Sequence, residues 1–352
     1  MSQFKIKTNL TKKTELFNVL ALAKSIELPI LLIGDPGVAK TAAVMDFAKA
    51  VNGGDLEDEQ VFMLETDEGT RSSAIKGNVD IEALTTSNKY QINSPIAGAD
   101  FVIINEVDKA SASLRNSLLG VMNEKKIFNG TEKKDCAWET FVATCNSIPE
   151  DEKDSPFWDR FAITFHVDRL RETDILDYFS KGGRSSVQTY NVNLPTAEQV
   201  EENMAKLDVS KIKKVLDVVY GSLSDRTISY IPTLVAHIMG VYSTSQDRAY
   251  VKAVELLVGK TDADVLARSI MSKQLRGLYD KVDMISACTN ESMYKKLMTE
   301  INTLGDKLAK DGFLAKEDES DIVARATEAQ NSLSFLSTED DLEDVNEAME
   351  NI

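Results

Sequence analysis

The sequence holds only two histidines and three cysteines in 352 residues. Cys136, Cys145 and Cys288 are odd in number and show no CxxC spacing, which argues against a disulfide framework and against a zinc site. Two histidines, His166 and His237, cannot build a His-rich metal centre. A Ser-His-Asp triad would need one of them, and His237 falls within the apolar helical pattern Ile231–Met239, where a packed core histidine is expected. No apolar run approaches the ~18–20 residues that span a bilayer. The longest, Leu28–Ile33, has the length of one buried strand. The first residues lack the apolar core of a signal peptide. A cytoplasmic protein without a membrane span is therefore expected.

Hydrophobic residues make up 43% and charged residues 28%, a globular composition. The length allows two or three packed units. The net charge is −17, and residues 311–352 carry 13 acidic and 2 basic residues of it. The body is only mildly acidic. Acidity opposes non-specific nucleic-acid binding by the whole surface, while a local basic patch could still bind it.

Helical spacing of Leu16, Phe17, Leu20, Leu22 and Ala23 predicts a helix over 11–26. Short apolar runs predict buried strands at 29–33, 60–64, 101–105, 141–145 and 162–167. Helices are expected at 40–51 and 111–123. The alternation at 89–93 predicts part of a hairpin, and Asn129-Gly130 predicts a tight one. After about residue 195 the strands stop. Helices are expected at 196–206, 210–220, 227–242 and 249–257, then in stretches from 262 to 310. Pro232 predicts a first turn or a kink in the third.

Two segments carry the chemistry. Gly34-Asp35-Pro36-Gly37-Val38-Ala39-Lys40-Thr41 follows a buried strand and opens a helix. It fits the phosphate-binding pattern G-x-x-x-x-G-K-[ST], with Ala39 in place of the second glycine. Backbone N–H groups of Asp35, Gly37, Val38 and Ala39, in the loop that also carries Pro36, would cradle phosphate oxygens. Lys40 would place a cation at the β/γ-phosphates, and the Thr41 hydroxyl could ligate Mg²⁺. The second segment, Phe101–Lys109, ends a buried strand with Asn105-Glu106. Nucleotide hydrolases usually carry Asp-Glu here. Glu106 could polarise an attacking water. Asn105 could accept from metal-bound water but brings no negative charge, so weaker Mg²⁺ binding is expected.

Together these segments resemble the AAA+ ATPases, and within them the MoxR family, from about residue 11 to about 275. Gly34–Thr41 is similar to that family's P-loop. Ile104–Ala110 resembles its Asp-Glu-Ile-Asn-Arg-Ala, with Asn105 as the departure. Val142–Ser147 resembles the sensor 1 strand, which implies Asn146 near the γ-phosphate and the lytic water. Phe157–Phe161 resembles the segment carrying the arginine finger, which implies Arg160 acting on a neighbouring subunit. Leu223–Thr227 resembles sensor 2 and implies Arg226 as a γ-phosphate contact. Arginine suits both roles through its planar donors and permanent charge.

The resemblance implies an α/β chain. Its parts would be a P-loop AAA+ three-layer α/β/α domain at 1–195, an all-α lid at 196–295 and an acidic C-terminal extension at 296–352. It implies ATP and Mg²⁺ as ligands, a homo-oligomer that is expected to be a hexamer, and remodelling or maturation of a protein substrate or adaptor. Such a partner often carries a von Willebrand factor A domain. It also implies a pore-type insertion at 68–98 and a hairpin at 124–134. Lys125, Lys126, Lys133 and Lys134 of that hairpin, with Phe128 among them, could face a pore and touch nucleic acid or an acidic polypeptide. Two alternatives stay open: a nucleic-acid-dependent motor or loader, and an ATP-binding switch slowed by Asn105.

Overall fold

The computed structural model describes residues 2–54, 56–79, 85, 92–129, 132–150, 155–170, 175–176, 187–271, 273–286, 288, 291–310, 322–323, 325–326 and 329–330. The chain divides into two compact units. One comprises Met1–Arg169 with Val187–Pro195, the other Leu170–Ser186 with Thr196–Ile352.

The first unit is organised by its apolar runs. In chain order its strands are β1 (Ser2–Thr8), β2 (Ile30–Ile33), β3 (Val61–Glu65), β4 (Asn78–Val79), β5 (Ile92–Asn93), β6 (Phe101–Asn105), β7 (Lys126–Asn129), β8 (Glu132–Asp135), β9 (Thr140–Cys145), β10 (Ile163–His166) and β11 (Gln188–Leu194). Five of them form one sheet in the order β10-β2-β9-β6-β3. Every neighbouring pair in it is parallel. A parallel sheet needs cover on both faces, so its strands read as near-continuous apolar runs. β2 and β9 are buried along their whole length.

Helices supply the cover. On one face Leu31, Ile33, Val102, Ile104, Ala143 and Cys145 cluster with Leu114, Leu118 and Val121 of the helix Ala112–Glu124. The helices Thr14–Ile26 and Lys40–Val51 also pack on strands of the sheet. Phe47 of the latter meets Phe101 edge-on, with ring centroids 6.5 Å apart. Because the strands are parallel, the C-terminal ends of β2, β6 and β9 share one edge. The phosphate-binding motif, Asn105-Glu106 and Asn146 follow those three ends.

One sheet was not expected. β1 pairs antiparallel with β11, from Ser2 opposite Leu194 to Thr8 opposite Gln188. Tyr190 ties it down: its hydroxyl donates to the Leu10 carbonyl at 2.8 Å, and its ring lies 5.0 Å from that of Phe17. Each strand alone shows too few apolar residues to announce itself, and its partner lies some 180 positions away.

The expected hairpin is present as β7 paired with β8, while Gly130 and Thr131 lie outside the described residues. Gly120 lets β7 approach the helix Ala112–Glu124: a Cβ there would meet Phe128 at 2.9 Å and the Lys126 carbonyl at 3.0 Å. Lys125 does not extend from the hairpin. Its ammonium sits over the Trp138 ring at 4.3 Å, donates to the Trp138 carbonyl at 2.8 Å and pairs with Glu27 at 2.6 Å. Lys133 lies over the Phe128 ring at 5.5 Å. Within the expected insertion, β4 pairs with β5 beside the short helix Ser73–Lys76. Residues 89–91 of the predicted alternation lie outside the described residues.

The second unit is helical throughout its described part. Thr196 caps Ala197–Ala205 in a reciprocal box with Gln199. Val209–Val219 follows. The single helix expected at 227–242 is two, Asp225–Ser229 and Ile231–Val241. Pro232 lies in the first turn of the second, where its missing N–H costs nothing. Then come Gln246–Val258, Lys260–Ile270, Lys273–Ser286 and Glu291–Lys310. The last runs continuously across residue 295, because its apolar stripe of Tyr294, Leu297, Ile301 and Leu308 continues there. Most of the acidic tail lies outside the described residues. Among the described residues, no helix is long and apolar enough to cross a membrane.

Two outcomes test this packing. Ile6 of β1 is fully buried; Ile6→Ala is expected to cost about 2–5 kcal/mol in chemical denaturation, whereas a loose N-terminal strand would give no change. His237 is buried, and burial depresses its pKa to about 4. The unfolded chain, with an ordinary histidine near 6.5, then binds more protons between those values. Stability is full above about pH 6.5 and falls by up to about 3 kcal/mol as the pH drops toward 4. Thermal midpoints across that range should show the slope, and His237→Gln should flatten it.

Candidate active site

The site grows from the ends of three parallel strands. After β2 the chain must pass close beneath β10. A Cβ on Gly34 would meet the Val167 carbonyl at 2.6 Å, so glycine is required there. Asp35, Pro36 and Gly37 are exposed at the rim, while Val38 anchors the loop in the core. Arg169 braces the rim through Asp35, Nε to Oδ2 at 2.5 Å. Ala39 caps the helix Lys40–Val51 in the left-handed region, φ 65° and ψ 34°. That conformation suits glycine and costs an alanine roughly 1 kcal/mol. The methyl group is thus accommodated at a backbone cost, and the turn of the motif is kept.

Lys40 opens the helix and folds back across the loop. Its ammonium donates to the carbonyls of Gly34 and Asp35, the latter at 3.1 Å, and to Asn146 Oδ1 at 3.4 Å. Burial lowers its pKa. The Cys145 sulfur and the carboxylates of Asp108, Asp35 and Glu106 oppose that shift. Cys145 itself is buried and pushed up to about 12, which makes it inert as a thiolate.

Asn105 is the centre of a small hydrogen-bond cluster. Its Oδ1 accepts from Thr41 Oγ1 at 3.0 Å and from Thr144 Oγ1 at 3.2 Å. An amide oxygen has two lone pairs, and both are used. Thr144 Oγ1 in turn accepts from the Glu106 amide at 3.3 Å. The P-loop threonine, the end of β6 and the end of β9 are thereby joined.

Glu106 also has left-handed backbone, φ 55°. Thr66 holds this turn, donating its hydroxyl to the Glu106 carbonyl at 2.7 Å. The Glu106 carboxylate projects outward and pairs with Lys109 at 2.7 Å. Non-glycine residues held in this region concentrate at functional sites.

The structure therefore brings Lys40, Thr41, Asn105, Glu106 and Asn146 to one edge of the sheet. It places Arg160 on a separate turn, Trp158–Arg160, within the aromatic cluster of Phe157, Trp158 and Phe161. Arg160 Nη1 pairs with Asp159 at 3.2 Å, and its Nε is buried without a hydrogen bond. Arg115 stacks on the same cluster, 5.9 Å from the Trp158 ring. Arg226 belongs to the second unit, on Asp225–Ser229. Thr144, Thr66 and Asp108 were not anticipated. Thr144 could have been found, since it lies one strand period before Asn146.

No cluster of three His, Cys, Asp or Glu side chains able to hold a metal alone occurs among the described residues. The hydroxyl and carbonyl oxygens of the site suit a hard cation such as Mg²⁺, which takes much of its coordination from phosphates and water. The unpartnered buried oxygen of Asp108 is a further indication of cationic company. A cavity of about 470 Å³ lined by Lys76, Ser113, Asn116, Ser117, Gly120 and Phe128 lies elsewhere and includes none of these residues.

The strained cap gives a direct test. Ala39→Gly is expected to leave thermal stability unchanged or raise it by up to about 1 kcal/mol, with nucleotide affinity retained. A loss of affinity would show that the methyl group itself serves the site.

Comparison with known proteins agrees with this geometry. The family described as the MoxR domain in the MoxR-vWA-beta-propeller ternary systems matches residues 2–208. A structural protein of Acidianus two-tailed virus is 30% identical over 192 residues, 54% of this chain and 30% of that protein. An uncharacterized protein of Methanocaldococcus jannaschii is 23% identical over 281 residues, 75% of this chain and 72% of its own length. The chain thus spans under a third of the viral relative. A candidate ATPase from Cytophaga hutchinsonii, known as a crystal structure, superimposes with a TM-score of 0.52 at 16% identity. The match covers 73% of this chain and 89% of that one, and at such identity it shows the fold. With a parallel five-stranded sheet, a P-loop at its edge, a helical second unit and a family match across more than half its length, the chain belongs to the MoxR family of AAA+ ATPases.

Proposed function

We propose that this protein binds ATP with Mg²⁺ and hydrolyses it in a homo-oligomeric ring, expected to be a hexamer, to remodel or mature a protein partner in the cytoplasm. The observation that carries the reading is the convergence of Lys40, Thr41, Asn105, Glu106 and Asn146 at the ends of three parallel strands. Residues 1–195 act as the nucleotide-binding domain and 196–295 as the lid, and the helix Glu291–Lys310 carries the chain on into the acidic extension, 296–352. The N–H groups of Asp35, Gly37, Val38 and Ala39 and the Lys40 ammonium bind the phosphates, with Pro36 shaping the loop between them. Thr41, oriented by Asn105, faces the metal. When bound, Mg²⁺ neutralises charge developing on the transferred phosphoryl group. Glu106 accepts a proton from the attacking water, which requires it to leave Lys109. Asn146 positions that water. Arg160 acts across a subunit boundary and must leave Asp159 to do so. Arg226 is assigned to the γ-phosphate by the resemblance of its segment alone.

The family's description supports a partner with a von Willebrand factor A domain, in a system that includes a β-propeller. The nucleic-acid reading loses support where Lys125 is bound to Trp138 and Glu27. Slow turnover keeps support from neutral Asn105 and from the Glu106–Lys109 pair.

Steady-state ATP hydrolysis against protein concentration tests the proposal. The native rate is expected to rise cooperatively. Glu106→Gln should retain binding and lose about 10²–10⁴-fold in turnover, and Arg160→Ala about 10³-fold. Equal background rates in native protein and Glu106→Gln would reduce the activity to binding alone. Lys125→Ala should lower the thermal midpoint without creating or removing nucleic-acid stimulation; a specific loss of such stimulation would restore the motor reading.

A further inference from the structure

Asp108 lies two residues beyond Glu106, in the turn Val107–Lys109. Its neighbour Lys109 is exposed and pairs with Glu106. Asp108 is directed differently. Its Oδ1 is enclosed by protein and accepts no hydrogen bond. A buried carboxylate oxygen without a donor is costly, and it calls for an explanation such as an ion or a water beside it. Asp108 stands close enough to Lys40 and to Cys145, the last residue of β9, for its carboxylate to act on both. Those two residues flank the phosphate side of the site.

Asn105 is complementary to this. Thr41 and Thr144 occupy both lone pairs of its Oδ1. What remains on that side chain is an NH₂ group, a donor, which offers a cation and its water shell nothing to bind. Asn105 thus orients Thr41 but supplies neither charge nor a free acceptor.

We propose that Asp108 is the positioning residue that gives this nucleotide site the negative charge that Asn105 lacks, favouring the divalent cation that accompanies a bound nucleoside triphosphate. The inference rests on the nucleotide-site reading above. Its physical signature follows from the sign of the charge. A carboxylate attracts the cation and repels the phosphates. Removing it weakens the contribution of Mg²⁺ and does not weaken the binding of metal-free nucleotide. A purely structural Asp108 would, when replaced, weaken both together.

The test is equilibrium binding of a fluorescent ATP analogue to the full chain, in EDTA and across a Mg²⁺ titration, with thermal melts to confirm folding. Asp108→Asn is expected to raise the Mg²⁺ midpoint roughly tenfold, as a lost unit charge near a divalent ion should, with EDTA affinity unchanged or tighter. Asn105→Asp combined with Asp108→Asn should bring the midpoint back. An unchanged midpoint, parallel losses in EDTA and Mg²⁺, or failure of that rescue overturns the proposal. Should Asp108→Asn not fold, Asn105→Asp alone decides: a shift below about threefold fits a site already supplied with charge, and one of about tenfold overturns it. Absence of nucleotide binding by the native chain under both conditions overturns the nucleotide-site reading itself, a different failure.

Discussion

The arrangement depends on one acceptor atom, Asn105 Oδ1. Thr41 and Thr144 both donate to it, and Thr144 also receives the Glu106 amide. Each bond contributes on the order of 1 kcal/mol. Their importance lies in what they connect: the loop after β2, the end of β6 and the end of β9. Only a parallel sheet delivers three strand ends to one edge, and only covered faces permit a parallel sheet. The packing of Leu114, Leu118 and Val121 beneath and of Phe47 against Phe101 is therefore a condition of the site. A neutral amide makes these connections without the desolvation that a carboxylate would suffer there.

Two of the six non-glycine residues with positive φ among the described residues stand at the same edge. Ala39 and Glu106 both hold left-handed backbone that their side chains disfavour. At Ala39 the conformation turns the chain into the helix that carries Lys40 and Thr41. At Glu106 it turns the carboxylate outward while Thr66 fixes the carbonyl. Hydrogen bonds hold these backbone turns in place, so the exchanges asked of the proposed mechanism fall on side chains: Lys40, the Glu106–Lys109 pair and Arg160.

The motif segments and the order of strands and helices could be read from the sequence because their signals are local. A buried strand is a short apolar run, and a P-loop is eight consecutive residues. β1 and β11 could not be read, because each is half polar and its partner is nearly the whole first unit away. Pro232 announced a boundary but not which side of it would be helical. Lys125 looked like a surface lysine; only the fold shows Trp138 and Glu27 waiting for it. Thr144, Thr66 and Asp108 lie within readable segments, yet their roles come from neighbours on other strands. Local pattern identifies which residues stand at strand ends, and long-range contact decides which of them are joined.

The bonds that Lys40 makes are of a kind that a nucleotide could replace with profit. It donates to neutral carbonyls of its own loop and to an amide oxygen. Phosphate oxygens are anionic, and charge-assisted bonds are stronger than neutral ones. Binding therefore needs only an exchange of acceptors at Lys40. Under the proposed mechanism hydrolysis asks for more: Glu106 would exchange Lys109 for water, and Arg160 would exchange Asp159 for a phosphate on another subunit. In that reading the two steps are separated by the Glu106–Lys109 and Asp159–Arg160 ion pairs, both present within a single chain. A partner subunit or substrate that competes for Lys109 or Asp159 would release catalysis without touching the P-loop.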